Sequence, residues 1–179
     1  HTSITPVAGY QVTSDISIGL GLPFNVAEKM NKSYGNVTPG LDTGKEEEVG
    51  IENGHSASYR DLCDIIRSRI EELYEHKLIK LPTTDYQSLA PCGLVLTGGT
   101  ANLVGLDEMG RSVLRMPVRK GQPSDAGIYG ITDVLHDSAY ATTVGLVLWQ
   151  ARNKGRSAWQ VRRSGIFGNL ASFFRRLFR

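Results

Sequence analysis

The sequence predicts an α/β fold. Short apolar runs bounded by glycine and proline alternate with longer stretches whose apolar residues recur at helical spacing. The chain has 179 residues, 40% of them hydrophobic and 21% charged, which is ample for a buried core. That length suits one domain or two small ones.

The elements follow in order. HTSITPV alternates loosely and reads as a strand, with AGYQ as a turn. Thr13, Ser14 and Asp15 are N-cap candidates for a short helix through about Leu20, which GLGLP breaks. Asn25 opens N-V-A-E, a capping-box-like start with Glu28 three residues on. That helix is expected to run to about Tyr34 and to end on Gly35 in a left-handed conformation. Residues 36–58, with the acidic run Glu46-Glu47-Glu48, read as loop with one or two short strands.

SYRDLCDIIRSRIEELYEHKL gives the strongest helical signal, with Leu62, Ile65, Ile66, Ile70 and Leu73 on one face. LPTTDYQSLAPC is a loop, and GLVLT (93–97) is expected to be a buried strand. GGTANLVGL turns into a helix over Leu106–Leu114, and MPVRKG follows as a short strand. QPSDAGIYGITD is a loop. SAYATTVGLVLWQA is expected to be a helix buried on more than one face. Arg152–Arg163 reads as a polar, basic tether.

The net charge of +2 hides an asymmetry. From Ala151 onward there are eight basic residues and no acid, so residues 1–150 set twelve Lys and Arg against all 18 acids, a net −6. An acidic body with a basic tail points to a tail that meets an anionic surface. Cys63 and Cys92 form no CxxC pair and read as free thiols of a reducing compartment. The four histidines are scattered, without a partner at metal-ligand spacing. No run approaches the 18 apolar residues of a membrane span. The sequence opens without Met and shows no signal peptide; it reads as an N-terminally truncated chain.

Two features carry chemistry. In LVLTGGTANLVGL a strand ends in Gly98 and Gly99 and a helix follows. Without Cβ atoms, backbone can approach a ligand closely, and donors at the following helix start can meet a phosphate or ribose. Two glycines after a strand also make an ordinary tight turn.

The second feature is the tail. On a helix, Ile166, Phe167, Leu170, Phe173, Phe174, Leu177 and Phe178 form one apolar stripe, with Arg175, Arg176 and Arg179 on the other face. Fifteen residues rise about 22 Å, too short for roughly 30 Å of hydrocarbon. This is the pattern of a helix lying in the membrane interface. Each Arg near an anionic leaflet contributes about 1 kcal/mol. A helix docked on the protein's own core would carry the same stripe, but the basic tether before it favours an anchor held off the body. Stacking of the Phe rings on nucleic-acid bases is the other use of such a tail, and one-sided spacing suits a bilayer better.

GLVLTGGTANLVGL, MPVRKGQP and HDSAYATTVGLVLW together resemble the end of the actin, sugar-kinase and DnaK-like ATPase superfamily. PVAGYQVTSDISIGLGLPFNVAEKMNKSYGNV is similar to one branch in particular, the bacterial cell division FtsA family. The matching positions are Pro6, Ala8, Gly9, Val12, Thr13, Asp15, Ile16, Ala27, Glu28, Tyr34 and Gly35. The resemblance runs from His1 to Trp149, weakest over residues 36–58, and resumes in the C-terminal amphipathic helix.

The resemblance implies half of an actin-like (RNase H-like) ATPase fold: a mixed sheet with helices, plus a smaller subdomain most of which residues 24–92 form. The ATPase-like part would span residues 1–150, a linker 151–164 and the membrane helix 165–179. By similarity, Gly98, Gly99, Thr100 and Asn102 would line the adenosine side of ATP, Gly9 would lie near phosphates and sugar, and Glu28 near ribose or base. Related ATPases often carry Lys three residues after this Glu; here Asn31 stands there, flanked by Lys29 and Lys32, with Lys32 the candidate cation. The family's phosphate loops would precede His1, so ATP and Mg²⁺ are expected to belong to the full-length protein. This stretch is expected to bind ATP weakly or not at all and not to hydrolyse it.

The FtsA family tethers filaments of the tubulin homologue FtsZ to the inner membrane. The resemblance therefore implies an adaptor at the cytoplasmic face of the division site, with at most weak ATPase activity. Its partners would be the FtsZ C-terminal tail, anionic lipids, further copies of itself in filaments and other divisome proteins, without nucleic acid. Arg69 and Glu72 match positions that contact the FtsZ tail; an Arg–Glu pair on a solvated helix face is the plainer reading. Another superfamily ATPase or a sugar kinase is the alternative, although no sugar-binding acid is evident.

Overall fold

The computed structural model describes residues 2, 4, 6–40, 47–51, 54–79, 91–124 and 133–157. It divides into two units, His1–Thr142 and Thr143–Arg179.

Helix α1 is Gly9–Gly19. Its start is set by Ala8, whose N–H donates to Gln11 Oε1 at 2.8 Å while the Gln11 N–H donates back to the Ala8 carbonyl at 3.0 Å. Thr13, Ser14 and Asp15 therefore lie inside the helix and do not cap it. Their polar groups are used otherwise: Thr13 Oγ1 donates to the Gly9 carbonyl at 3.3 Å, as interior Thr often does, and Asp15 pairs with Arg69. The described residues of HTSITPV (2, 4, 6 and 7) are not in a strand, contrary to its alternation. Alternation alone makes no strand without a ladder partner for the backbone.

Helix α2 is Phe24–Tyr34, entered from Pro23 at φ −57°. Asn25 is thus a helical residue rather than the cap, and Glu28 is not the third residue of a capping box. Gly35 ends the helix at φ −58°, outside the left-handed region. Glycine is needed there for a different reason: a Cβ would lie 2.9 Å from Leu103 Cδ1 and would run into the Asn31 carbonyl.

Strands β1 (Glu48–Ile51) and β2 (His55–Ser58) form an antiparallel hairpin in the stretch read as loop with short strands. Helix α3, Tyr59–Ile79, follows directly. Ser58 Oγ accepts from the Asp61 N–H at 3.3 Å, satisfying one free donor of the first turn. Leu62, Ile66 and Ile70 are fully buried at four-residue intervals, with Cys63 and Tyr74 beside them. Each such aliphatic side chain contributes about 1.5–3 kcal/mol on burial. This face makes α3 the spine of the first unit, packed on α1 and on helix α4, Leu106–Leu114.

Strands β3 (Leu94–Leu96) and β4 (Val118–Lys120) pair in parallel, Leu94 opposite Val118. The crossover runs through a 3-10 turn, Gly99–Asn102, and then α4. β3 is half-exposed rather than buried, with Val95 on the exposed side. Its one hydrogen-bonded neighbour among the described strands is β4.

Two glycines allow close backbone approach. Gly105, at φ +79°, opens α4, and a Cβ there would collide with the Thr38 backbone. The adjacent Val37 N–H donates to the Val104 carbonyl at 2.9 Å, tying the exit of α2 to the start of α4. Gly110 lies under the Tyr74 ring, where a Cβ would come within 2.8 Å of the hydroxyl. That hydroxyl donates to the Leu106 carbonyl at 2.8 Å. Of the two thiols, Cys63 is buried and Cys92 exposed. Burial, first of all, pushes the Cys63 and Tyr59 pKa values up.

Helix α5 is Ala141–Ser157, and the second unit begins inside it. It continues past Arg152, so the first residues of the segment read as a tether are helical. Leu146, Val147 and Trp149 are each more than 60% exposed, against the expectation of burial on several faces. An apolar run records that a helix can be covered but names no neighbour to cover it. Ile166 to Arg179, expected from the sequence to form a membrane helix, lie outside the described residues. Among the described residues, no helix is long and apolar enough to cross a membrane.

Candidate functional site

A cleft of about 680 Å³ opens in the first unit. The first turn of α1 supplies Gly9, Tyr10, Val12 and Thr13. α2 supplies Phe24, Glu28, Asn31, Lys32 and Ser33. The glycine turn supplies Gly99, Thr100 and Asn102, with Leu103, Val104, Gly35 and Ala139 completing the wall. Six of the seven residues singled out from the sequence (Gly9, Glu28, Lys32, Gly99, Thr100 and Asn102) line this one space. Gly98 stands just behind it: at φ +94° it turns the chain, and its N–H donates to the Ser138 carbonyl at 2.9 Å.

Local structure explains each placement. A Cβ on Gly99 would meet nothing within 4 Å among the described residues, so the backbone there faces open space. A Cβ on Gly9 would meet Thr100 Oγ1 at 2.6 Å, so the absence of a side chain lets the glycine turn close over α1. Asn102 Nδ2 donates to Asp137 Oδ1 at 2.6 Å, and the Ala139 N–H donates to the same oxygen at 2.8 Å. Those two bonds, Ala139 first, hold the Asp137 carboxyl below its ordinary range, with Lys120 adding a little. Asp137 thereby fixes Asn102 from behind. Its signal in the sequence was the D-S-A start of a short helical turn.

The charged groups of the wall are few. Glu28 Oε1 and Lys32 Nζ pair at 2.6 Å, one turn apart on α2 and largely exposed. Such pairs are worth about 0.3–0.5 kcal/mol, so a ligand can recruit either group at small cost. Asn31 Oδ1 is buried and has no hydrogen-bond partner among the described residues. An unpaired buried carbonyl costs about 1–3 kcal/mol, which is tolerated where a ligand or local shift supplies a donor. Tyr10 and Phe24 stack at the rim, ring centroids 5.1 Å apart and tilted by 35°. No motif in the sequence marked this aromatic pair.

The donor and acceptor set suits a nucleoside: a carboxylate for ribose hydroxyls, an amide and a hydroxyl for base or sugar, and an open glycine backbone. It does not suit a magnesium ion. Glu28 is the one carboxylate of the wall, and among the described residues no three His, Cys, Asp or Glu gather as a metal site.

Arg69 and Glu72 lie elsewhere, on α3. Arg69 grips Asp15 of α1 through Nε and, at 3.0 Å, through Nη2, while Nη1 donates to Glu72 Oε2 at 2.6 Å. His76 Nε2 lies 3.5 Å from Glu72 Oε1. The hydrogen bonds that Arg69 donates to Asp15, above all, hold its pKa above the ordinary value.

The family model for the cell division protein FtsA matches residues 1–145. The chain belongs to the FtsA family. It is 34% identical to FtsA of Pseudomonas aeruginosa over 163 residues, covering 88% of this chain and 39% of that one. It is 32% identical to FtsA of Neisseria meningitidis over 82% of the chain, and 31% identical to FtsA of Bacillus subtilis over 85%. The chain spans 34–39% of the length of these three relatives. Among solved structures, MreB5 of Spiroplasma citri bound to ADP superposes with a TM-score of 0.61 at 15% identity, over 84% of this chain and 46% of that one. The same protein bound to AMPPNP gives 0.59. That likeness establishes an actin-like fold, of which this FtsA-family chain holds part.

Proposed function

We propose that this FtsA-family chain serves as an adaptor that holds FtsZ filaments at the cytoplasmic face of the membrane during cell division, with a nucleotide as ligand of its body. The observation that carries the reading is that Gly9, Glu28, Gly99, Thr100 and Asn102 line one cleft in a chain whose family model runs over residues 1–145. ADP and AMPPNP in the MreB5 structures support a nucleotide as the ligand of such a fold. Glu28 would hold the ribose hydroxyls, and Thr100 and Asn102 the base side, Asn102 braced by Asp137. A bound Mg²⁺ would require acids other than those described.

In the same reading, Arg69 and Glu72 receive the FtsZ tail. The stripe Ile166, Phe167, Leu170, Phe173, Phe174, Leu177 and Phe178, with Arg175, Arg176 and Arg179, inserts into anionic lipid. Self-association into filaments would add avidity to each weak anchor. Co-sedimentation tests the whole: FtsZ, the chain, and vesicles of phosphatidylglycerol and phosphatidylethanolamine are mixed and spun. FtsZ is expected in the pellet only with the chain present and anionic lipid included. Deleting residues 165–179 should leave FtsZ in the supernatant. Pelleting that ignores the deletion would remove the tail from the mechanism, and DNA binding without vesicle binding would overturn the adaptor.

A further inference from the structure

Arg69 presents a charge problem for a residue that receives an acidic segment. Its guanidinium carries five N–H donors. Nε and one N–H of Nη2 are taken by Asp15, and one N–H of Nη1 by Glu72. The side edge of the fork, the one best shaped for a carboxylate, is thus already filled by a carboxylate of the protein itself. With two acids around one cation, the cluster has a negative charge in excess. Among the described residues, His76 also stands beside Glu72 in this cluster. An approaching acid meets repulsion until one of the resident carboxylates gives way.

Geometry decides which one can. Glu72 sits three residues from Arg69 on the same helix and moves with it. Asp15 belongs to a different helix, and its side chain and that of Arg69 are each about a quarter exposed, 27% and 26%. The pair is therefore partly reached by solvent and can be exchanged, unlike a fully enclosed ion pair whose opening would strand a charge.

We propose that Asp15 is an internal stand-in for the partner's carboxylate: it occupies Arg69 in the free protein and is displaced when an acidic segment docks on α3. The proposal rests on the reading of Arg69 as partner-binding. It makes the affinity for the acidic segment a difference between two competing pairs rather than the strength of one. Because the competitor is tethered, it acts at a high effective concentration and sets a threshold that a weakly acidic peptide does not pass.

The test is fluorescence anisotropy with a labelled peptide of the FtsZ C-terminal tail and the full chain. Asp15→Asn removes the charge and keeps the shape; it is expected to bind the peptide about threefold to tenfold more tightly, about a factor of ten being 1.4 kcal/mol. Asp15→Glu keeps the charge and should stay near the parent. Arg69→Glu should abolish binding in either background. Unchanged or weaker binding by a folded Asp15→Asn chain overturns the proposal, since a residue that merely positions Arg69 would weaken binding when altered. If Arg69→Glu leaves affinity intact, the docking site itself is wrong, a distinguishable failure. Should Asp15→Asn lose its fold by circular dichroism, Asp15→Ser measured below its melting temperature reads the same competition, with the same direction required.

Discussion

Arg69 and Asp15, 54 residues apart in the chain, form a two-toothed pair that fastens helix α3 to helix α1. Its neighbour pair, Arg69 with Glu72, stays within one helix. The two should differ in their worth to stability. Asp15→Ala is expected to lower stability by about 1–2 kcal/mol, because it unpairs a partly sheltered guanidinium between helices. Glu72→Ala should cost about 0.3–0.5 kcal/mol, as exposed intrahelical pairs do. Urea denaturation of both variants checks the order; equal losses would show that the interhelical contact adds nothing.

Glycine-to-alanine changes should have opposite signs in two helices. Ala exceeds Gly in helix propensity by about 1 kcal/mol. At Gly145 of α5 a Cβ meets nothing within 4 Å among the described residues, so Gly145→Ala should stabilise its helix by up to that amount. At Gly110 of α4 the Cβ would press on Tyr74, which burial and the Leu106 hydrogen bond hold in place. Overpacking of that kind costs about 1–3 kcal/mol, and it outweighs the propensity gain. Thermal melts of the two variants should move in opposite directions.

Tyr74 also sets an alkaline limit. Burial, with Asp107 adding to it, pushes its phenol up to about 12. An unfolded tyrosine ionises near pH 10. The folded state therefore holds this proton where the unfolded state has lost it. Its contribution is fully present below about pH 10 and declines as pH rises toward about 12. Tyr74→Phe should be less stable by about 1 kcal/mol at neutral pH for the lost hydrogen bond, yet show a shallower decline over that alkaline window. Parallel pH–stability curves for parent and variant would remove Tyr74 as the titrating group.

The cleft should bind nucleotide weakly on its own. Its wall offers one carboxylate and one exposed ammonium, little to neutralise a triphosphate. A dissociation constant of about 1 mM, some −4 kcal/mol, is the expected order. Amide chemical shifts followed during an ATP titration should move at Gly99, Thr100 and Asn102, and Glu28→Ala should reduce the response. Shifts confined to other surfaces would separate the cleft from the ligand, and micromolar binding would show that phosphate contacts come from described residues after all.

What the sequence could reveal followed from how local each signal is. Helix α3 was plain because Leu62, Ile66 and Ile70 repeat on one face, and burial at those positions is what a helical period encodes. β3, α4 and β4 followed from glycines and short apolar runs, whereas the pairing of β1 with β2 and the parallel pairing of β3 with β4 came only from the structure. The start of α1 was misplaced because its cap is made by Gln11 reaching back to Ala8, a bond that an alanine does not advertise. Asp15 looked like a cap because its true partner is 54 residues away, and a pairing at that distance leaves no period. Gly35 was given the wrong conformation because crowding from Leu103, not backbone handedness, demands glycine there. The cleft residues were found through resemblance; Tyr10 and Phe24, which meet only in the folded chain, were not.

The contrast between the two cysteines offers a practical handle. Cys63 is enclosed in the spine helix and holds its proton tightly, while Cys92 stands exposed at the turn just before β3. A maleimide dye added at neutral pH will therefore attach at one place without mutagenesis. The dye will sit at the foot of the strand that leads into the glycine turn, close enough in sequence for its emission to report on ligands entering there.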